Sequence, residues 1–344
     1  MQGGTLEPAR RTRRIGIRDV AEHAGVSIAT VSNALNRPQR VSDATRTRVS
    51  AAVEQLGYAP SPAARMLRAQ KSGLIGMTVI NIRNPFFGAL ISGAEQAAAA
   101  RSMRVFSGNV SDSAQTEKDH LGLFRSVHVE GALITPFGDT SSAIRSLRSH
   151  GIPVVLVDGA DETGTLSSVS FDNRTAADMV ARHLLETGRR RVLFLGSRRE
   201  LAQVRDREDG AREVLAAAGS TMAAERLHRT DPEAGLEYGA KLAAGAAGDL
   251  PDAIICSNDH LAAGLVRALV DGGVRVPEDV AVVGYDDTPL SRVAAVPLTS
   301  IRQPAVDMGR RAAELLLGAI GRSPEPRQNV VYAPELVIRA STVG

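Results

Sequence analysis

Apolar residues recur along this chain with two different periods, and the change of period divides it. In the stretch 17–36, Val20, Ala21 and Ala24 share one face of a helix, Gly25 offers the left-handed residue that ends it, and Val26 plugs the turn. Ser27 is placed to cap a second helix in which Val31 and Leu35 look inward, while Ile28, Ala29, Thr30, Ser32 and Asn33 are left outside. Pro38 stops that helix. A third follows Ser42, with Val49, Ala52, Val53 and Leu56 as its stripe and Gly57 just past its end. Three short helices with a tight first turn predict an all-α helix-turn-helix, the platform that seats one helix in a major groove.

The next segment, APSPAARMLRAQKSG, breaks the pattern, because Pro60 and Pro62 forbid a continuous helix from the third one. A short helix over 62–69 is compatible with it but marginal in water on its own. From Leu74 the period changes. LIGMTVI, MRVFSG, GALIT, PVVLVD, RRVLFLG, DAIIC and DVAVVG read as strands, separated by amphipathic helices near 85–100, 113–127, 172–187, 205–218, 258–271 and 304–320. This alternation predicts a parallel α/β core. The strand series starts afresh near Arg190, which predicts two similar sub-domains with a ligand cleft between their C-terminal strand ends. The expected division is a basic disordered tail over 1–14, the helix-turn-helix over 15–59 and a linker over 60–71. One sub-domain follows from 72–172 plus 303–332, and the other from 173–302 plus 333–344.

Charge sharpens the reading. Residues 1–71 hold twelve Lys and Arg against five Asp and Glu, a balance of +7 in a chain of +3, so the remainder carries −4. A positive field concentrated on the helical head suits double-stranded DNA; a merely solvated basic face would explain the charge but not the turn and caps. The run Arg10–Arg14 has no apolar segment behind it, so a secretory signal is not expected and a cytoplasmic location is. That tail suits minor-groove or phosphate contact, or simple solubility. The single cysteine, Cys256, reads as a buried strand residue, and no intrachain disulfide is possible. No long uncharged apolar run calls for a membrane. The phosphate-binding GxxxxGK[ST], dinucleotide GxGxxG, nucleophile-elbow GxSxG and metal-binding HExxH patterns do not occur, so no catalytic residue, cofactor or metal is expected. The rival to a regulator is a solute-binding or sensor protein that uses the cleft without DNA; the basic head argues against it.

Markers spread from Ile17 to about Thr342 make the chain similar to the lactose-repressor/galactose-repressor family of bacterial transcription regulators. They are DVAEHAGVSIATVSNALN, VSDATRTRV, LGYAPSPAARMLR, NPFFGALISGAEQAA, GIPVVLVD, FDN, SNDHLAAGLVRAL, VPEDVAVVGYDD and PLTSIRQP, all in the family's order. The resemblance implies a ligand-responsive regulator, most commonly a repressor, that reads a pseudo-palindromic operator as a homodimer. It also implies a periplasmic-binding-protein-like core that senses a small molecule. Carried over residue by residue, Ile28, Ala29 and Asn33 face bases, Thr30 and Ser32 lie nearer phosphate, and Arg18, Arg40 and Arg46 are phosphate contacts or solvated arginines. PAARMLR matches the family's hinge helix, with Leu67 as the minor-groove wedge and Ala63 and Ala64 small enough for two such helices to pack. Effector-driven movement of the core then separates the hinge helices.

For the effector, the resemblance implies Asp158, Arg207 and Asp286 as directed partners for hydroxyl groups, with Asn84, Phe86 and Phe87 at one lip and Asn258 at the other. Capping or turn formation is the alternative for Asp158 and Asp286, and the expected role of Asp259 and Asp287. Thr230 stands where many relatives stack an aromatic on the ligand, and Asn81 replaces a common carboxylate. Arg198, Arg199 and Arg205, around Arg207, favour an anionic effector or form an exposed loop. The expected effector class is therefore a carbohydrate or a sugar phosphate. The sequence runs only to VIRASTVG after its last strand, so a dimer without the tetramerising leucine helix of some relatives is expected.

Overall fold

A computed structural model describes residues 15–58, 72–111, 113–161, 164–197, 201–321 and 326–343, and the chain forms two compact units that divide between Gln70 and Lys71. The first unit contains α1 (Ile17–His23), α2 (Ile28–Asn36) and α3 (Asp43–Leu56), with one 3-10 turn, Pro38–Arg40. Its local signals act as the sequence requires. Gly25 and Gly57 take φ of 61° and 60°, the left-handed conformation that costs a residue with a Cβ most. The Ser27 and Ser42 hydroxyls accept hydrogen bonds from the Thr30 and Thr45 amides at 3.0 and 3.3 Å, satisfying donors that a helix start leaves free. Val20, Ala21, Ala24, Val31, Ala34, Val49 and Ala52 form the buried centre. Ala34, which the periodicity did not single out, takes the inward place beside Val31, and Leu35 is half-buried against them.

The second unit is built on two six-stranded sheets. β1 (Leu74–Val79), β2 (Arg104–Asn109), β3 (Gly131–Ile134), β4 (Val154–Val157), β5 (Ser167–Phe171) and β11 (Asn329–Tyr332) form the first, in the order β11-β5-β4-β3-β1-β2 and parallel throughout. β6 (Arg191–Gly196), β7 (Thr221–Arg226), β8 (Ala253–Cys256), β9 (Ala281–Asp286), β10 (Thr299–Arg302) and β12 (Glu335–Val337) form the second, in the order β12-β10-β9-β8-β6-β7. There only the β10–β12 pair is antiparallel. The chain passes from the first sheet to the second after Phe171, returns after Arg302 and crosses again after Tyr332.

Nine helices cover the sheets among the described residues: α4 (Pro85–Ala99), α5 (Ala114–Ser126), α6 (Ser141–Ser149), α7 (Asn173–Glu186), α8 (Ala202–Ala217), α9 (Pro232–Ala243), α10 (Asp259–Asp271), α11 (Pro289–Val293) and α12 (Ala305–Ala319). α6, α9, α11, β5, β7, β10, β11 and β12 had no counterpart in the apolar pattern. SSVSF of β5 is serine-rich, and TMAAER of β7 is an edge strand with mostly exposed or half-buried positions, so neither carries a continuous apolar run. Each half contains one very close helix crossing. A Cβ on Gly93 of α4 would stand 1.9 Å from the Val306 carbonyl oxygen of α12, and one on Gly264 of α10 would stand 2.0 Å from that of Pro232 in α9. Glycine is what lets these backbones touch. No helix among the described residues is long and apolar enough to cross a membrane.

Candidate functional site

The head presents one turn of α2 outward. Ser27 caps it, and the next two side chains, Ile28 and Ala29, are exposed, with Ile28 38% accessible despite its apolar character. Ile28 and Ala29 thus offer two apolar side chains to solvent on the first turn of a capped helix. Thr30, Ser32 and Asn33 are half-buried rather than fully outside, and the Thr30 hydroxyl bonds to that of Ser27 at 2.8 Å. Arg18 and Arg40 are exposed. Arg46 is held by Asp43 at 2.7 Å, a pair that any phosphate contact would have to break. Ala63, Ala64 and Leu67 lie outside the described residues, as do the tail over 1–14 and Arg198 and Arg199.

In the core, the C-terminal ends of the strands converge on a cleft of about 620 Å³, counted with its opening to solvent. The chain leaves β4 at Asp158, β9 ends at Asp286 and Ser257 follows β8; Gln303 enters from the crossing after β10. Asn84, Phe86 and Phe87 come from the start of α4, Gln203, Val204 and Arg207 from α8, Asn258 and His260 from the start of α10, and Thr230 from the loop before α9. Thus the fold gathers all seven effector residues expected from the sequence around one space. Phe86 and Phe87 are buried and meet edge to face, with centroids 5.1 Å apart, so they form an apolar wall. Asn81 and Thr230 also line the cleft, whereas Arg205 does not and pairs with Asp206 at 3.9 Å. An anionic effector therefore gains no support from Arg205.

The polar groups differ in what they still have to offer. Arg207 is fixed on three sides: Nε donates to Asn173 Oδ1 at 2.8 Å, a terminal nitrogen donates to the Ser257 carbonyl at 2.7 Å, and the guanidinium stacks 3.7 Å above the Tyr285 ring. Asp286 accepts from Asn84 Nδ2 at 2.9 Å and from Gln303 Nε2 at 2.7 Å. Asp158 is 5% exposed, its Oδ2 is 3.5 Å from Gln203 Nε2, and its Oδ1 has no partner among the described residues. Burial pushes the Asp158 carboxyl from 3.8 to about 7, with the nearby Asp286 charge raising it further and Arg207 opposing. Burial raises Asp286 as well, against Arg207 and the two amide donors. Both residues also sit at positive φ, 55° and 100°, a strained backbone outside glycine. Two buried carboxyl groups at positive φ therefore face a guanidinium that is fixed from three sides.

The expectation for Asp259 needs correction. Asp259 does not cap its helix; Asn258 does, accepting from the Leu261 amide at 2.8 Å. Asp259 is fully buried and receives the Thr288 amide, the Thr288 hydroxyl and the Ser300 hydroxyl, so it ties α10 to the turn after β9. Asp287 takes the left-handed turn conformation and is also anchored by Arg302 at 2.8 Å and Arg339 at 2.6 Å. Sequence reasoning missed Gln203, Ser257, His260 and Gln303 as lining residues. Gln303 lay inside a quoted motif, PLTSIRQP, but nothing local showed that it reaches Asp286. Among the described residues, no cluster of three or more His, Cys, Asp or Glu is placed to hold a metal ion.

Comparison with known proteins places this geometry in context. Residues 16–61 match the model of bacterial regulatory proteins of the lacI family, and residues 181–342 match a periplasmic binding protein-like domain. The chain is 31% identical over 329 residues to the HTH-type transcriptional repressor PurR of Mannheimia succiniciproducens, covering 94% of this chain and 98% of that one. It is 36% identical over 309 residues to the ribose operon repressor of Bacillus subtilis, covering 90% and 92%. Among solved structures, the lac repressor dimer bound to operator and an anti-inducer superimposes with a TM-score of 0.80 at 26% identity, over 96% of this chain and all of that one.

Proposed function

Because the chain belongs to the lacI family of bacterial regulatory proteins, we propose that it is a DNA-binding transcription regulator, in the repressing sense, that reads its operator as a homodimer in the cytoplasm. The observation that carries this reading is the capped, outward first turn of α2 in the same chain as a cleft holding Asp158, Arg207 and Asp286. Ile28 and Ala29 suit thymine methyl groups, and Asn33 suits bidentate pairing with adenine. Thr30, Ser32, Arg18 and Arg40 would position the helix on phosphates, with Arg46 joining them once it leaves Asp43. The segment 60–71, with Ala63, Ala64 and Leu67, is assigned to the minor groove. The effector is assigned to the carbohydrate class, because directed carboxylate, amide and guanidinium groups beside the Phe86–Phe87 wall match a ring with several hydroxyls. The two halves of the core are taken as 72–172 with 303–332 and 173–302 with 333–344.

Selection from a randomised duplex pool tests the output. The full chain should enrich a pseudo-palindrome with salt-sensitive affinity, and residues 72–344 should enrich nothing. Enrichment by the core alone would overturn the assignment. Thermal shift against neutral sugars and sugar phosphates tests the input, since a ligand at a hundred times its Kd adds about 2.7 kcal/mol of stability.

A further inference from the structure

We propose that Asn84 is a gate residue: its amide occupies Asp286 across the two halves of the core, and a donor-rich effector reaches that carboxylate only by displacing it. This rests on the effector cleft assigned above. Each oxygen of Asp286 already accepts one protein amide, Oδ2 from Asn84 Nδ2 at 2.9 Å and Oδ1 from Gln303 Nε2 at 2.7 Å, and at 6% exposure the carboxylate has little open surface for a further donor. By contrast Asp158 Oδ1, Gln303 Oε1 and Ser257 Oγ are buried without a hydrogen-bond partner among the described residues, each on a side chain more than nine-tenths buried in the wall of the same cleft. Buried polar atoms without partners are expensive, so these three are where a ligand gains most. Two of them accept, and the serine hydroxyl donates or accepts. A compound with neighbouring hydroxyl, amide or amine donors therefore anchors first on Asp158, Gln303 and Ser257. It then competes with Asn84 for Asp286.

Both bonds join the two halves, but Gln303 directly follows β10, whose Arg302 is already paired with Asp286 in the sheet, whereas no sheet pairing holds Asn84 there. Asn84 precedes α4 on the first sheet's side, whereas Asp286 ends β9 of the second sheet. The preceding residue reaches the same way: Arg83 lies 3.8 Å from Asp231, which caps α9. That ion pair has a 69% exposed arginine and contributes little, so of the two the buried amide–carboxylate bond is the stronger. Asn84 also has a free choice of partner on one side only. Its Oδ1 accepts from the Phe86 amide at 3.0 Å and caps α4, while its Nδ2 serves Asp286. Handing Asp286 to a ligand thus need not unravel the helix.

The test needs neither operator nor effector. In the full-length Ser257→Cys dimer, the rate of alkylation by iodoacetamide reads access to the cleft; native Cys256 is fully buried, its thiol is pushed up by burial, and the parent chain measures its background. Asn84→Ser retains a side chain that caps helices but cannot span to Asp286, and Asn84→Asp retains the cap while turning the donor into an acceptor facing a carboxylate. Both should accelerate labelling about tenfold or more, the ratio expected from losing one hydrogen bond to a charged group. Arg83→Ala should change it less than about twofold. If Asn84→Ser destabilises the fold, Asn84→Asp carries the measurement alone. Parental rates in both folded Asn84 variants, or equal acceleration by Arg83→Ala, overturn the gate. Failure here with a positive thermal shift leaves the regulator reading standing, and the reverse result separates them the other way.

Discussion

Replacing Asp158 by asparagine should stabilise this protein at neutral pH, although the residue sits in the middle of the cleft. Asp158 is 5% exposed, and its carboxyl is raised from 3.8 to about 7 chiefly by burial. Each tenfold change in proton affinity corresponds to about 1.4 kcal/mol, so ionising this group in the folded state costs about 4 kcal/mol above neutrality. The sign follows from the direction of the change. A carboxyl raised on folding binds its proton more tightly in the native state, so its favourable share is complete below pH 3.8 and lost by about pH 7. Asparagine does not titrate. The stability difference between Asp158→Asn and the parent should therefore be small near pH 4 and grow through pH 7 towards about 4 kcal/mol, shifted only by a constant for the different side-chain contacts. Urea unfolding of the core, followed at half-unit intervals from pH 4.5 to 8, measures it. A difference that stays flat over that range would show that Asp158 ionises as an ordinary surface carboxylate and would remove the electrostatic argument for the site. The same variant should bind effector less well, the usual exchange of stability for function in a strained site.

Other expectations are as direct. Glu117→Gln should remove a second pH-dependent share of the same sign, because burial raises Glu117 to about 7 although the Phe137 and Gly138 amides donate to it; an unchanged slope between pH 5 and 8 would contradict this. Gly264→Ala should cost about 1–3 kcal/mol or more, since its Cβ would meet the Pro232 carbonyl at 2.0 Å, whereas Gly88→Ala, exposed on α4 with nothing near, should be neutral or gain up to about 1 kcal/mol. Equal urea midpoints for the two variants would refute the close-crossing account. Ser42→Ala should lower head stability by about 1 kcal/mol through loss of the α3 cap, read from thermal melting of the head; no change would mean that the Thr45 amide finds another acceptor.

The head was legible in the sequence almost residue by residue, because its signals act over three or four positions. Ser27 caps Thr30, Ser42 caps Thr45, and Gly25 and Gly57 end their helices without help from distant parts of the chain. The core was legible as a class. The buried strands β1, β3, β4, β6, β8 and β9 have apolar runs that no other parallel-sheet position would need, but the short, serine-rich or edge strands β5, β7, β11 and β12 owe their pairing to neighbours rather than to their own residues.

The cleft shows the same division. The sequence by itself determined that Asp158 and Asp286 stand at strand ends, that Asn84 precedes a helix, and that Arg207 lies on one. Those placements follow from local period and capping. Only the tertiary structure decided what the side chains do to one another. Asn84 and Asp286 are 202 residues apart and bond at 2.9 Å, and Arg207 is pinned by Asn173 of α7, Ser257 of the loop after β8 and Tyr285 of β9. Hydrogen bonds reach about 3 Å. Whether two groups come within that distance depends on how the sheets stack and where the chain crosses between them, which no short window of sequence contains.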